Sequence, residues 1–339
     1  MQKERYLWMD MLNILACVGV LILHTNSTIV HSYSGEYGLS FLYAVFTHSA
    51  VYWPVPVFLM LSGCNIIGYN GGSFVEKRFK KAILPFLLWT SVYLIFFNLG
   101  DLENIFTPAM VRCMLNGHLG AGYMWFFIPL FAFYLSAPYL TAMMKNITDK
   151  QKRIFLLLSF TFCSLIPFLG SLLNVELFKF NLFPLATSML IYPIAGYILN
   201  NDNWFYQNRK KLYVIGLVSF LIHFIGLYVT ISCLGLSSRV IQNTCYPTNF
   251  FMSLAVFLFA KHYNWSSSIK WFGLSSKSVK FISSCSLGIY LIQNLLFVIS
   301  SHNLNLLNNQ YYGFVITYVV AFLLVLVMKK IPIVKLLVP

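Results

Sequence analysis

Residues 7–24 read LWMDMLNILACVGVLILH, eighteen positions with a single formal charge, Asp10, and a histidine, His24, at the far end. Coiled into a helix at about 1.5 Å per residue, such a run crosses most of a ~30 Å hydrocarbon layer. An ionisable side chain at that depth is costly, so its presence marks a candidate site. Histidine moves a proton near neutral pH, which suits it to serve as a base in acyl or phosphoryl transfer. The plainer alternative is a polar residue that caps a membrane helix at the interface.

Outward from this stretch the same pattern recurs. Ten apolar runs of roughly spanning length can be traced, at 7–24, 43–68, 82–99, 121–141, 153–172, 181–199, 211–233, 247–261, 281–300 and 311–328. The second contains Pro54 and Pro56, which predict a kink or a late start. The eighth is short. The whole chain is 59% hydrophobic, 18% aromatic and only 9% charged, where a soluble domain carries about 25% charged residues. Composition therefore predicts an all-α, polytopic membrane protein of about ten transmembrane helices. No polar linker or separate soluble segment interrupts it, so residues 1–339 read as a single integral membrane domain. No internal repeat at helix-pair spacing is visible, which argues against an inverted-repeat transporter.

Basic residues test the count independently. With a cytoplasmic N-terminus and ten alternating helices, the inner side receives Lys3, Arg5, Lys77, Arg78, Lys80, Lys81, Lys145, Lys150, Lys152, Arg153, Arg209, Lys210, Lys211, Lys261, Lys270, Lys277, Lys280, Lys329, Lys330 and Lys335. The outer side receives only Arg112, Lys179 and Arg239, a division of 20 against 3 that also places the C-terminus in the cytoplasm. The net charge of +14 is then mostly a cytoplasmic surface facing anionic lipid, and nucleic-acid binding is not needed to explain it. The first run has a short basic lead but no small-residue cleavage site after His24, so it is expected to remain as a signal anchor. Cys17, Cys64, Cys163 and Cys285 lie in apolar runs and read as core, whereas Cys233 and Cys245 flank one outer loop where a disulfide is conceivable. No cysteine or histidine spacing resembles a metal site.

At about 100° per residue, Asp10, Asn13, Cys17 and His24 share one helix face. Asn13 and His24 are separated by roughly 16 Å along the axis. They cannot touch, but both can line one channel running from the cytoplasmic to the outer side. Further on, Pro56 to Gly63 ends the second run in small residues that permit close approach of a helix or a substrate. The segment Glu76-Lys77-Arg78-Phe79-Lys80-Lys81 then places four cations at a membrane entry. These suit a polyanion such as a nucleotide phosphate, and they equally suit topology anchoring.

Taken in order, Asp10 and His24, PVPVFLMLSG at 54–63, KRFKKAILPFLLW at 77–89, MWFFIPLFAFYLSAPYL at 124–140, SLGIYLIQ at 286–293 and the basic IPI tail at 331–333 carry a resemblance. The chain resembles the acyltransferase-3 family of integral membrane O-acyltransferases, nearest its surface-polysaccharide acetyltransferase branch. The likeness runs over essentially the whole chain. It implies a ten-helix enzyme of the cell membrane, in a bacterial plasma membrane, that takes an acyl group, usually acetyl, from cytoplasmic acyl-CoA without a metal. The implied acceptor is a carbohydrate hydroxyl on a surface glycan or its lipid-linked precursor, with membrane lipid and glycan-assembly proteins as partners.

The family's motif of arginine, ten residues and histidine falls on Asn13 and His24. Its Arg-x-x-Arg motif falls on Arg78 and Lys81, so one arginine is an amide here and another is a lysine. Where relatives often carry His-Pro in the ninth helix, this chain has Gln293-Asn294. The resemblance implies that His24, with Asp10 on its face, is catalytic, either as base on the acceptor hydroxyl or as carrier of the acyl group. It further implies that Asn13, Lys77, Arg78, Lys80 and Lys81 hold acetyl-CoA. Trp125, Tyr134, Tyr290 and Gln293 are candidates for the acceptor path, against the alternative of aromatic packing. A glycan-intermediate transporter or flippase is the rival from another class, and an inactive family member is a second. Apart from Asp10 the runs hold no acidic residue near the midplane, which counts against ion-coupled transport.

Overall fold

The structure is a computed structural model that describes residues 6–32, 37–69, 72–97, 107–117, 123–178, 182–183, 185, 187, 189–303, 307 and 309–338. Lys3, Arg5, Lys179 and much of the outer segment 100–119 lie outside the described residues. Among those described, the ordered elements are all helical. They begin with α1 (Leu7–Ser32), α2 (Leu39–Ala50), α3 (Pro54–Ile66), α4 (Gly72–Phe97), α5 (Pro108–Leu115) and α6 (Phe127–Asn146). Next come α7 (Asp149–Phe160), α8 (Ile166–Leu173), α9 (Ile191–Asn201), α10 (Asn203–Gln207) and α11 (Arg209–Ser232). The last are α12 (Pro247–His262), α13 (Trp265–Trp271), α14 (Ser276–Ser283), α15 (Ser286–Asn303) and α16 (Gly313–Lys330).

Local chemistry explains where these helices start and stop. The second apolar run is two helices, because Val51–Trp53 interrupts it and Pro54 opens α3. Proline is tolerated in a first helical turn, where its missing N–H has no intrahelical partner in any case. A capping box opens α7: the Thr148 hydroxyl accepts from the Gln151 backbone N–H at 3.3 Å, and the Gln151 side chain accepts from the Thr148 N–H at 2.8 Å. A π-helical turn at Thr161–Leu165 links α7 to α8 just before Pro167. Among the described residues, seven helical segments are long and apolar enough to cross a membrane, and the bent pair α14–α15 would make eight. The helices α9 and α12, at 11 and 16 residues, are shorter than that test requires.

The chain divides into two compact units, residues 1–69 with 140–280, and residues 70–139 with 281–339. In the first, α1 packs on α2, α3 and α12, while α11 packs on α12 and α2. The backbones of α3 and α9 approach closely. A side chain added at Gly63 would overlap the Pro193 carbonyl, and one added at Gly196 would overlap the Met60 carbonyl. Cys64 donates its thiol to the Gly196 carbonyl across the same seam at 2.9 Å. Gly63 is thus spent on helix packing, as small residues in membrane helices commonly are.

The second unit is laced by aromatic rings. Phe86 of α4 meets Phe127 and Phe131 of α6 at 5.4 Å, and Tyr290 of α15 meets Phe126 and Phe127 at 6.1 and 6.3 Å. The Tyr93 hydroxyl donates to the Leu291 carbonyl at 2.7 Å, and the Trp89 indole N–H donates to the Leu337 carbonyl at 2.8 Å.

Candidate functional site

The α1 helix does not end at His24. It continues through Ser32, and the polar residues beyond His24 bond back into the helix: Thr25 and Asn26 donate to the Ile22 carbonyl, and Ser27 donates to the His24 carbonyl at 2.9 Å. His24 is therefore a side-on residue of a continuing helix, and the capping alternative is set aside. Of its stripe, Asp10 and Cys17 are buried while Asn13 and His24 are half-buried, so the latter two keep an accessible edge. Asp10 lies in the first turn of α1, where the helix dipole favours a carboxylate. The stripe belongs to the first unit.

The nominated cations belong to the second unit, at the start of α4. Lys77, Arg78, Lys80 and Lys81 are all exposed, and Lys80 is ion-paired with Glu76 at 2.6 Å. Arg78 and Lys81 lie three residues apart and so share a side of the helix. Arg78 is near enough for its charge to act on the Tyr134 hydroxyl, which joins two residues nominated for different roles. Tyr134 is buried, whereas Trp125 and Tyr290 are half-buried within the same unit. Gln293 is also buried there, and its amide nitrogen has no hydrogen-bond partner among the described residues.

A second polar group escaped the sequence reading. On α2, His48 is buried, with Nδ1 3.1 Å from the Gln242 amide nitrogen. Tyr52 lies 5.6 Å from the His48 ring and stacks on His223 of α11 at 4.9 Å. The His223 Nδ1 is 3.2 Å from the Thr248 hydroxyl, while its Nε2, the Gln242 Oε1 and the Asn249 Oδ1 lack partners among the described residues. Below Thr248, the Thr244 carbonyl accepts from Asn249 and from the Tyr192 hydroxyl. An ionisable residue midway along a spanning helix was the available signal, and His223 satisfied it.

A cleft of about 940 Å³ lies in the first unit beside the π-helical turn and brings Glu176, Arg239, Ser171 and Asn174 to one wall system. None of the residues nominated from sequence lines it. Among the described residues no three His, Cys, Asp or Glu side chains converge in a metal-binding arrangement. No disulfide joins Cys233 and Cys245; the Cys245 thiol instead contacts the Met189 sulfur at 3.3 Å.

Comparison with known proteins matches the chain to a family model described as an acyltransferase domain, over residues 6–328. No curated protein and no solved structure matches the chain.

Proposed function

The chain belongs to the acyltransferase-3 family, and on that premise we propose that it is an O-acetyltransferase of the bacterial plasma membrane that acylates a surface glycan or its lipid-linked precursor. Membership makes it a membrane acyltransferase; the donor, the acceptor and the residues are our reading. Cytoplasmic acetyl-CoA is the donor. The cations at the start of α4 contact its phosphates, with Arg78 able to grip two oxygens at once and Lys81 acting as a point charge. Asn13, a neutral amide, hydrogen-bonds the donor's pantetheine arm.

His24 is the general base. The acceptor hydroxyl oxygen attacks the thioester carbonyl carbon while the imidazole takes the hydroxyl proton. The carbon–sulfur bond then breaks, and the leaving thiolate recovers that proton from the imidazolium, so His24 ends as it began. Asp10 shares the His24 face, about 21 Å nearer the start of the helix, and lines the same path toward the imidazole. Trp125, Tyr134, Tyr290 and Gln293 contact the acceptor.

The observation that carries this reading is His24 itself, half-buried on the side of a continuing spanning helix. An imidazole in that setting has no helix end to cap. The test is incorporation of label from radiolabelled acetyl-CoA into glycan by membranes containing the protein. Label released by mild alkali supports an ester of a hydroxyl. Movement of glycan across the membrane without label would favour a transporter, and binding without either would favour an inactive family member.

A further inference from the structure

A groove of about 470 Å³ opens on the first unit between α2, α11 and α12. Its lining combines the small residues Ala50, Gly216 and Ala255 with the rings of Phe46, Phe220 and Phe259. Phe46, Leu217 and Phe259 are 45%, 60% and 48% exposed, so the groove is open along its length. In a spanning segment that opening faces hydrocarbon, which makes an extended apolar chain the fitting occupant.

One end of the groove is cationic. Arg209 lies four residues before Tyr213, and positions 209, 213, 216 and 220 follow one stripe of α11. Its guanidinium sits 4.0 Å from the Tyr206 ring centre and donates to the Tyr206 carbonyl at 2.8 Å, which orders it about one helical turn before the groove residue Tyr213. On the facing helix, His262 lies three residues beyond the wall residue Phe259 and packs on that same Tyr206 ring at 4.6 Å. Lys210 and Lys211 follow, both exposed. Burial, then the charges of Lys261 and Arg209, hold the His262 imidazole below its ordinary value, so near neutral pH it offers a ring N–H rather than a charge, and Arg209 supplies the positive charge. Two aromatic contacts order Arg209 and His262 in advance, which spares part of the cost of binding.

We propose that this groove is a binding site for an anionic phospholipid, with the phosphate held by Arg209 and His262 and one acyl chain lying over Ala50, Gly216 and Ala255. The site is independent of the acyl-transfer reading and would stand if that reading failed. Headgroup charge is what separates it from ordinary lipid contact, because any phospholipid satisfies the apolar walls but only an anionic one satisfies the mouth.

Trp53 lines the groove and reports on it. The full-length protein is reconstituted into phosphatidylcholine vesicles, with phosphatidylglycerol or phosphatidylcholine brominated on one chain added in increasing amounts. The quenching that depends on Trp53 is the difference between wild type and Trp53→Phe. The expected result is preferential quenching by brominated phosphatidylglycerol, weakened by added salt. Arg209→Gln should lower the apparent affinity about fivefold, as one cation near an anionic headgroup warrants, while Lys210 and Lys211 still support insertion. Val256→Phe, which fills the groove without touching the mouth, should abolish Trp53 quenching by either lipid. Equal quenching by both headgroups, an undiminished preference in Arg209→Gln, or no quenching of Trp53 would each overturn the proposal.

Discussion

Because α1 stays helical for eight residues past His24, the His24 imidazole has no backbone N–H groups to cap, and its conservation of helix geometry does not depend on the ring. Replacement by alanine should therefore leave insertion and folding intact. If the imidazole is the general base, transfer should fall by about 10²–10⁴, the usual worth of such a group. Label incorporation by correctly inserted His24→Ala protein checks this, and near-normal turnover would return His24 to a packing role. Asn13 stands about 16 Å along the same face, a span like that of the pantetheine arm. Asn13→Ala should weaken donor binding by about 0.5–1.5 kcal/mol, the net value of a neutral hydrogen bond, and leave turnover at saturating donor nearly unchanged. A lowered turnover with unchanged donor Michaelis constant would contradict that placement. The residues visible in the sequence were those whose oddity is local: a histidine or an amide in an apolar run. His48 and His223 were equally odd, but their significance lies in the Tyr52 ring between them, a contact that spacing along one chain does not encode.

Among the elements, α3 and α9 show how a motif can be read correctly as close approach and still leave its purpose open. Gly63 and Gly196 each face backbone across the seam, so the motif serves packing. Gly63→Ala should destabilise by about 1–3 kcal/mol through overpacking, measured as a lowered unfolding temperature of the purified protein. An unchanged unfolding temperature would mean that the two helices separate more readily than their contact implies. The start of α4 poses the opposite question, since its four cations are exposed, with Lys80 ion-paired to Glu76. Replacing Arg78 and Lys81 together with alanine should raise the Michaelis constant for acetyl-CoA more than that for the acceptor. The wild-type donor affinity should also fall with salt, because exposed charges are screened within about 10 Å at 0.1 M. An unchanged donor constant in correctly inserted protein would assign the cluster to topology alone.

At the scale of the whole molecule, composition was enough to establish an all-helical membrane protein, and hydropathy located a helix in each of the ten runs. Lengths were less legible, because polar residues such as Thr25, Asn26 and Ser27 extend a helix by bonding back to its own carbonyls. The segments that carried the family likeness turn out to be contact surfaces. Within the second unit, Trp89 of one motif holds the tail that follows the IPI motif, and Tyr290 of another rests on Phe126 and Phe127 of a third. In the first unit, a side chain added at Gly19, on the His24 helix, would press on Pro54 of the PVPVFLMLSG motif. Motifs weak in isolation thus hold helices together, which is why their order along the chain was informative and their separate chemistry was not.

The remaining whole-molecule question is how many helices cross, and the cations give it a sharp form. With ten crossings, 20 basic residues fall inside and 3 outside. If α9 and α12, the two helices shorter than a spanning length, both fail to cross, then Arg209, Lys210 and Lys211 move outside and Arg239 moves inside. The division becomes 18 against 5, counted over the same 23 residues. Both arrangements keep the C-terminus in the cytoplasm, so locating that end decides nothing. The discriminating position is Lys211, at the entry to α11. Burying three cations on the outer side opposes the positive-inside bias, and membrane thinning or protein cover can accommodate helices shorter than the bilayer core. We therefore expect ten crossings: a reporter fused after Lys211 should read cytoplasmic, one fused between Ser237 and Gln242 should read external, and one within 100–119 should read external. A fusion after Lys211 that reads external, with one at 237–242 reading cytoplasmic, would establish eight crossings and move Arg209 to the opposite leaflet.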